Sequence, residues 1–365
     1  MEEKQAPDYI IFFVVLILMT MGLIMILSAS SIRAYNMYGD SFYLFRHQLI
    51  WSLVAIAAMI FFMNIDYHIY KKYAVLILFS TIAALIVVLI IGTVAGGSRR
   101  WIDLGILRIQ PSELAKLGFV IYLAYYFSKK QEKIKSFTRG ILPPLIVLGI
   151  IFGLILAEPD LGTGVAIAGT FFVMLFAAGA PYLHMLFLSL SGFAMIIVFI
   201  MTSDYRRERL LSFLDPFADP LNTGYHIIQS LLALGSGGIF GVGLGQSKQK
   251  FLYLPEPGTD FIFAIVGEEM GLLGTLVIVF LFFLFAWRGL KTAASVTDRF
   301  GVMLAVGITA MVIIQAVINI GVVTSSMPIT GITLPFISYG GTSLVIMSSA
   351  VGILLNISRQ TVDNN

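Results

Sequence analysis

The sequence predicts an all-α polytopic integral membrane protein with about ten transmembrane helices and a large extracytoplasmic loop before the eighth. Three observations predict it. Of the 365 residues, 58% are hydrophobic and only 12% are charged, about half the charged share of an ordinary soluble domain. Mean hydropathy is +0.94, with 29 Phe and 16 Met, which excludes both a soluble globular enzyme and a disordered chain. The apolar runs are continuous rather than alternating with a period of two, which argues against a β-barrel. A net charge of +3 is too small for a nucleic-acid footprint. The absence of cysteine excludes disulfides, zinc–thiolate sites and thiol catalysis.

A helical span takes roughly 17–25 mostly apolar residues. In chain order the runs centre on Ile10–Leu27, Leu49–Met63, Tyr73–Ile91, Leu114–Phe127, Ile141–Ala157, Leu161–Ala178, Leu183–Met201, Phe261–Trp287, Phe300–Val323 and Leu344–Ile357. An even number of spans puts both termini on one side. The first run is preceded by Glu2, Glu3, Lys4 and Asp8 and exceeds a signal-peptide core in length, so it reads as a retained helix. The whole chain, 1–365, reads as a single transmembrane domain.

Orientation follows Lys and Arg in short loops. The clearest loop is Lys129-Lys130-Gln131-Glu132-Lys133-Ile134-Lys135, followed by Arg139. Placing it in the cytoplasm puts 12 basic residues and both termini inside, against 11 basic residues elsewhere, so the raw count barely decides. Cations kept outside need another reason, and an anionic ligand is one. The outer loop, about 203–259, contains Tyr225–Leu234, which is too short to span and suits an interfacial or re-entrant helix. Six glycines then fall within Gly235–Gly245, followed by Lys248 and Lys250. Such backbone can turn its N–H groups toward phosphate, or serve as a flexible connector; it matches neither a Walker A loop nor a dinucleotide fingerprint.

Ionisable residues at membrane depth are costly, so each is a functional candidate. Asp260 stands at the mouth of the eighth helix after Pro255-Glu256-Pro257-Gly258-Thr259, as a helix cap or as a base with a raised pKa. Glu268 and Glu269 lie two turns deeper and suit a structural ion pair. Arg99, Arg100 and Trp101 fit an interface anchor or a phosphate fork, and Glu113 and Lys116 share a helix face where they can pair or face a cavity. Asp160 begins the sixth helix as a cap or a site residue. The run from Pro328 to Ser343, rich in breakers and hydroxyls and including Ser338, belongs where backbone lines a cavity or an outer turn. His47, His68, His184 and His226 lack ligand spacing.

Taken together these segments resemble the SEDS family (FtsW, RodA and SpoVE), closest to the FtsW/SpoVE branch. The resemblance rests on Gly97-Ser98-Arg99-Arg100-Trp101, Gln110-Pro111-Ser112-Glu113, Pro159-Asp160-Leu161-Gly162-Thr163, Gly241 through Lys250, Leu254-Pro255-Glu256 with Thr259-Asp260-Phe261-Ile262-Phe263, and Pro328-Ile329-Thr330-Gly331 through Ser338-Tyr339-Gly340-Gly341. It implies a peptidoglycan glycosyltransferase that polymerises lipid II at the outer face of the bacterial cytoplasmic membrane. It also implies that the aspartate matching Asp260 takes the proton from the C4 hydroxyl of the acceptor GlcNAc. The oxygen then attacks C1 of the donor MurNAc with inversion, and undecaprenyl pyrophosphate leaves. Substrate-binding candidates are Arg100, Glu113, Lys116, Asp160, Lys248 and Ser338, with Arg100, Lys116 or Lys248 countering the pyrophosphate. A divalent cation (Mg or Mn) on acidic ligands such as Asp260 or Asp160 would suit the chemistry, but no motif demonstrates one. The implied partners are a class B penicillin-binding protein and other division or cell-wall synthesis membrane proteins. A lipid II flippase and a non-catalytic scaffold are the alternatives.

Overall fold

A computed structural model describes residues 6–95, 98–103, 105, 108–202, 204–251 and 253–360. Gly97, from the resemblance, and Ser203, at the head of the expected outer loop, lie outside the described residues. Among the described residues twelve α-helices account for most of the chain: α1 (Tyr9–Tyr38), α2 (Tyr43–Met63), α3 (His68–Ile91), α4 (Pro111–Lys129), α5 (Leu142–Ala157), α6 (Leu161–Ala177), α7 (Tyr182–Met201), α8 (Asp204–Leu214), α9 (Tyr225–Gly237), α10 (Ile262–Ser295), α11 (Arg299–Val323) and α12 (Gly341–Ser358).

Among the described residues seven helical segments are long and apolar enough to cross a membrane: α1, α2, α3, Phe137–Ala157 (which includes α5), α10, α11 and α12. The helices α6 and α7 carry shorter apolar segments, Leu161–Ala177 and Tyr182–Val198. The remaining expected span, α4, is 19 residues long but includes Glu113, Lys116 and Lys129. The chain is thus a multi-pass membrane protein.

Local signals explain the helix ends. The Asp8 carboxylate accepts from the Ile10 and Ile11 amides at the start of α1, and Gly39 closes that helix at φ 72°. Asp160 and Asp298 cap α6 and α11 in the same way. The strands β1 (Thr93–Ala95), β2 (Ser98–Asp103) and β3 (Arg108–Ile109) form a small antiparallel sheet, which the sequence reading did not anticipate. Its alternating runs are too short to stand out from a loop. Thr342 at the head of α12 donates to the Arg108 carbonyl at 2.6 Å and ties the sheet to the bundle.

In their most apolar windows, α11 and α12 are 78% and 83% buried, against 22% and 28% for α2 and α3. The first pair therefore forms the centre and the second faces lipid. α12 packs on α2, while α11 packs on α4, α6 and α10. On α7 the exposed Leu183, Leu186, Leu190 and Phe193 present an apolar face of the kind lipid covers.

The helix α10 is broken at Gly271, where φ is 69° and ψ −164°. The break frees backbone groups that the bilayer could not satisfy, and the glycine run pairs with them. Val242 and Gly243 donate to the Glu268 and Glu269 carbonyls at 2.9 and 3.0 Å. Leu272 and Leu273 donate back to the Gly238 and Ile239 carbonyls at 2.9 and 3.2 Å. A Cβ on Gly241 or Gly271 would collide with the opposing backbone. The run is therefore a fitted splint for a broken helix, not a flexible connector.

Candidate functional site

The site is built where the end of the segment between α7 and α10 meets the non-helical stretch between α11 and α12. Asp260 is the last residue but one before α10, and its backbone is held from several directions. The Asn319 amide, on α11, donates to the Asp260 carbonyl at 2.8 Å and to the Ile332 carbonyl at 2.7 Å. The Ser338 hydroxyl donates to the Thr259 carbonyl at 2.6 Å and accepts from the Leu334 amide at 2.8 Å. The Tyr339 amide donates to the Gly258 carbonyl at 2.9 Å. Upstream, Arg33 on α1 grips both oxygens of Glu256, at 2.5 and 2.6 Å.

The Asp260 side chain is treated differently from its backbone. It is half-buried and faces Gly331, where a Cβ would sit 3.5 Å from Oδ2. Among the described residues no hydrogen-bond donor reaches its carboxylate. Burial chiefly, then the charges of Glu256 and Asp160, push its pKa up to about 6, and Arg100 and Arg209 oppose the rise. This pattern is unlike a helix cap, which would accept amide hydrogens as Asp160 does.

Arg100, on β2, reaches across to the turn between α5 and α6. Its Nε donates to the Glu158 carbonyl at 3.1 Å, and its Nη2 donates to the Pro159 carbonyl. Asp160 in that turn is buried and spends both oxygens on Thr163, accepting from its amide at 3.1 Å and its hydroxyl at 2.9 Å. Beside them Glu158 is fully buried, and neither of its carboxylate oxygens has a hydrogen-bond partner. Burial, reinforced by the Asp160 charge and opposed by Arg100, pushes its pKa up to about 8.

Glu113 and Lys116 are buried and paired at 2.7 Å, and the ammonium also donates to Gln315 Oε1 on α11. Gln315 Nε2 in turn donates to the Thr333 carbonyl at 3.0 Å. This pair therefore acts through Gln315 on the stretch beneath Asp260 and does not face open space. Ser338 is likewise buried and committed to backbone.

Lys248 alone of the site candidates has an exposed side chain, with no ionic or hydrogen-bond partner for its ammonium among the described residues. The amides around it do form an anion nest, but a carboxylate of the chain itself fills it. Lys248 and Gln249 donate to Glu268 at 2.8 and 3.4 Å, and Ser247 donates to Glu269 at 3.2 Å. Glu269 also pairs with Lys250 at 3.0 Å and accepts from Ser28.

Sequence reasoning missed four residues that the fold brings toward Asp260. They are Asn319 and Gln315, polar residues inside an apolar helix, and Arg209 and His226 on α8 and α9. Arg209 donates to the Ile329 carbonyl at 3.4 Å. His226 stacks on Phe261, with ring centroids 6.1 Å apart, and burial, with the nearby Arg209, lowers its pKa. The isolated amides were the usable signal, since side-chain amides in membrane helices commonly bond across helices. Among the described residues no three His, Asp or Glu side chains are grouped so that they could hold a metal ion.

Residues 8–363 match the model of the FtsW, RodA and SpoVE family, described as cell cycle proteins. Stage V sporulation protein E of Bacillus subtilis is 47% identical over 359 residues, covering 98% of both chains. A probable peptidoglycan glycosyltransferase FtsW of Geobacter metallireducens is 44% identical over 362 residues, covering 99% of this chain and 96% of its own. Among solved structures, a chain of a peptidoglycan synthase complex, described as coordinating polymerization and crosslinking, superposes with a TM-score of 0.80 at 27% identity, covering 97% of this chain and 98% of that one. The rod-shape-determining protein RodA of Thermus thermophilus superposes with a TM-score of 0.71 at 25% identity, covering 98% and 99%.

Proposed function

The chain belongs to the FtsW, RodA and SpoVE family, and on that premise we propose that it is a peptidoglycan glycosyltransferase polymerising lipid II at the outer face of the bacterial cytoplasmic membrane. The carrying observation is the Asp260 carboxylate: backbone clamped, side chain without a donor, pKa near 6. A base needs that combination. Its lone pairs are free for an incoming hydroxyl, and it is ionised at neutral pH while remaining more basic than a solvated aspartate.

In the proposed reaction Asp260 takes the proton from the C4 hydroxyl of the acceptor GlcNAc. The oxygen forms a bond to C1 of the donor MurNAc from the face opposite the leaving group. The C1–O bond to phosphate breaks, and undecaprenyl pyrophosphate departs with the electron pair. Arg100, whose guanidinium is held by the Glu158 and Pro159 carbonyls, and the exposed Lys248 would counter the charge on the pyrophosphate. Asp160, Glu113, Lys116 and Ser338 would serve the same site by fixing the loops that frame it.

In this reading α1–α7 and α10–α12 make ten crossings, α8 and α9 lie outside, and both termini are cytoplasmic. A class B penicillin-binding protein would cross-link the product strand, consistent with the likeness to a chain of a synthase complex. The test is polymerisation of lipid II by the purified chain, with and without such a partner, comparing Asp260 with Asp260→Asn. Loss of a general base lowers the rate by roughly 10²–10⁴. A variant that inserts normally and polymerises at the native rate would remove Asp260 from the chemistry.

A further inference from the structure

Far from Asp260 along the chain's helices, a cleft of about 480 Å³ opens between α3, α4 and the start of α5. Val75 and Phe79 line it from α3, Tyr122 and Tyr126 from α4, and Val147 from α5, with Lys129 and Lys130 at one end. Phe79 is 64% exposed and Val75 44% exposed, so the cleft has an open apolar wall. From Tyr122 to Lys130 the chain advances about 12 Å at 1.5 Å per residue, the scale of a lipid headgroup and upper acyl chain. An apolar cleft open to the bilayer offers water few partners, so hydrocarbon is its natural filling.

The two lysines give that filling a charge. Lys129 Nζ lies 5.4 Å from the Tyr125 ring centroid and 3.1 Å from its hydroxyl. Lys130 Nζ lies 5.2 Å from the Tyr126 ring centroid. Among the described residues no carboxylate pairs with either ammonium. The following loop adds Lys133, Lys135 and Arg139 against the single acid Glu132. A free anion would leave the apolar wall bare, and a neutral lipid would leave the lysines without a counter-charge.

We propose that this cleft binds one anionic glycerophospholipid, with an acyl chain along α3 and α5 and its phosphate between Lys129 and Lys130. The site serves the leaflet on the side of the Lys129–Arg139 loop. It is separate from the glycan chemistry and does not depend on it.

Native mass spectrometry of the full chain, supplied with phosphatidylglycerol or phosphatidylcholine of identical acyl chains, tests this. Each lysine beside an anionic headgroup is worth roughly fivefold in binding. The native protein retains phosphatidylglycerol at least severalfold over phosphatidylcholine, and Lys129→Gln with Lys130→Gln brings the two to near parity. Val147→Trp, which fills the cleft and leaves both lysines in place, lowers phosphatidylglycerol retention. Inorganic phosphate does not displace the lipid. Equal retention of both lipids by the native protein, an undiminished preference in the double variant, or displacement by phosphate overturns the proposal.

Discussion

Two carboxylates near the site have lost water without gaining a donor, and they do so to different degrees. Asp260 is half-buried and titrates near pH 6, whereas the fully buried Glu158 titrates near pH 8. At neutral pH the first is ionised and the second is neutral. Activity that needs an ionised Asp260 therefore falls as pH drops through about 6. On the alkaline side, ionising Glu158 adds a charge with no hydrogen-bond partner beside Asp160, so activity also falls as pH rises through about 8. Glu158→Gln keeps the neutral form at every pH. Its polymerisation rate at pH 7 stays within roughly twofold of native while the alkaline limb disappears from the pH–rate profile. An unchanged alkaline limb would free Glu158 from that role. The acidic limb has a counterpart in stability. Because the folded pKa of Asp260 lies above that of a free aspartate, the native state binds the proton more tightly, and stability decreases as pH rises from about 4 to 6. Above that window Asp260→Asn removes a charge the fold does not stabilise, so its melting temperature at pH 7 lies about 1–3 °C above native even though activity is lost. A lower melting temperature would mean that Asp260 has a stabilising partner.

At the scale of elements, what the sequence revealed differs sharply between helices and their connections. The apolar runs of α1, α2, α3, α5, α10 and α11 were plain because each is long and little interrupted. The break in α10 was not. One glycine inside an apolar run carries no direction, and the partner that makes Gly271 necessary lies some 30 residues earlier in the glycine run. The amides of residues 247–249 do form the anion-binding turn that the glycines and lysines suggested, but Glu268 and Glu269 supply the anion. Only the pairing of distant elements reveals that. The same limit applied to Asp260: its position before a helix was readable, whereas the Asn319 bridge from α11 was not. Gly271→Ala puts a methyl group into the Gly241 backbone at a positive φ, and a loss of about 2–4 kcal/mol follows from the collision and the strain. Thermal unfolding in detergent should show a clear drop. Alanine at Gly149, where no atom approaches the added Cβ, should leave the midpoint near native. If both variants melted alike, the splint would not be holding α10.

Across the whole molecule the problem is orientation, because 12 basic residues on one side against 11 elsewhere hardly favours either face. In the folded chain most of the cations on the Asp260 side are tied locally, Lys248 excepted, whereas the Lys129–Arg139 loop is not tied to carboxylates. On the face of the Asp260 loop, Arg33 pairs with Glu256, Arg46 with Asp40 and Arg108 with Asp103. Lys116 and Lys250 are buried with Glu113 and Glu269, and Arg100 is bound by two carbonyls. Each of these cations has a local structural reason to be where it is. The Lys129–Arg139 loop is different: Lys129 and Lys130 rest on tyrosine rings, and Lys133 and Lys135 are exposed. The charge of that loop is left to a membrane surface, and a cytoplasmic surface is where such a basic loop is expected. The chain contains no cysteine, so single introduced thiols report sidedness without background. Leu221, 83% exposed in the outer segment, and the exposed Lys133 are suitable positions. A membrane-impermeant maleimide applied to intact cells labels Leu221→Cys and spares Lys133→Cys, and permeabilisation exposes both. The reverse pattern would invert the whole topology and put Asp260 on the cytoplasmic face. Labelling of both thiols in intact cells would mean that an even number of crossings separates the two positions, so α5, α6 and α7 could not all cross and the count of ten would fail.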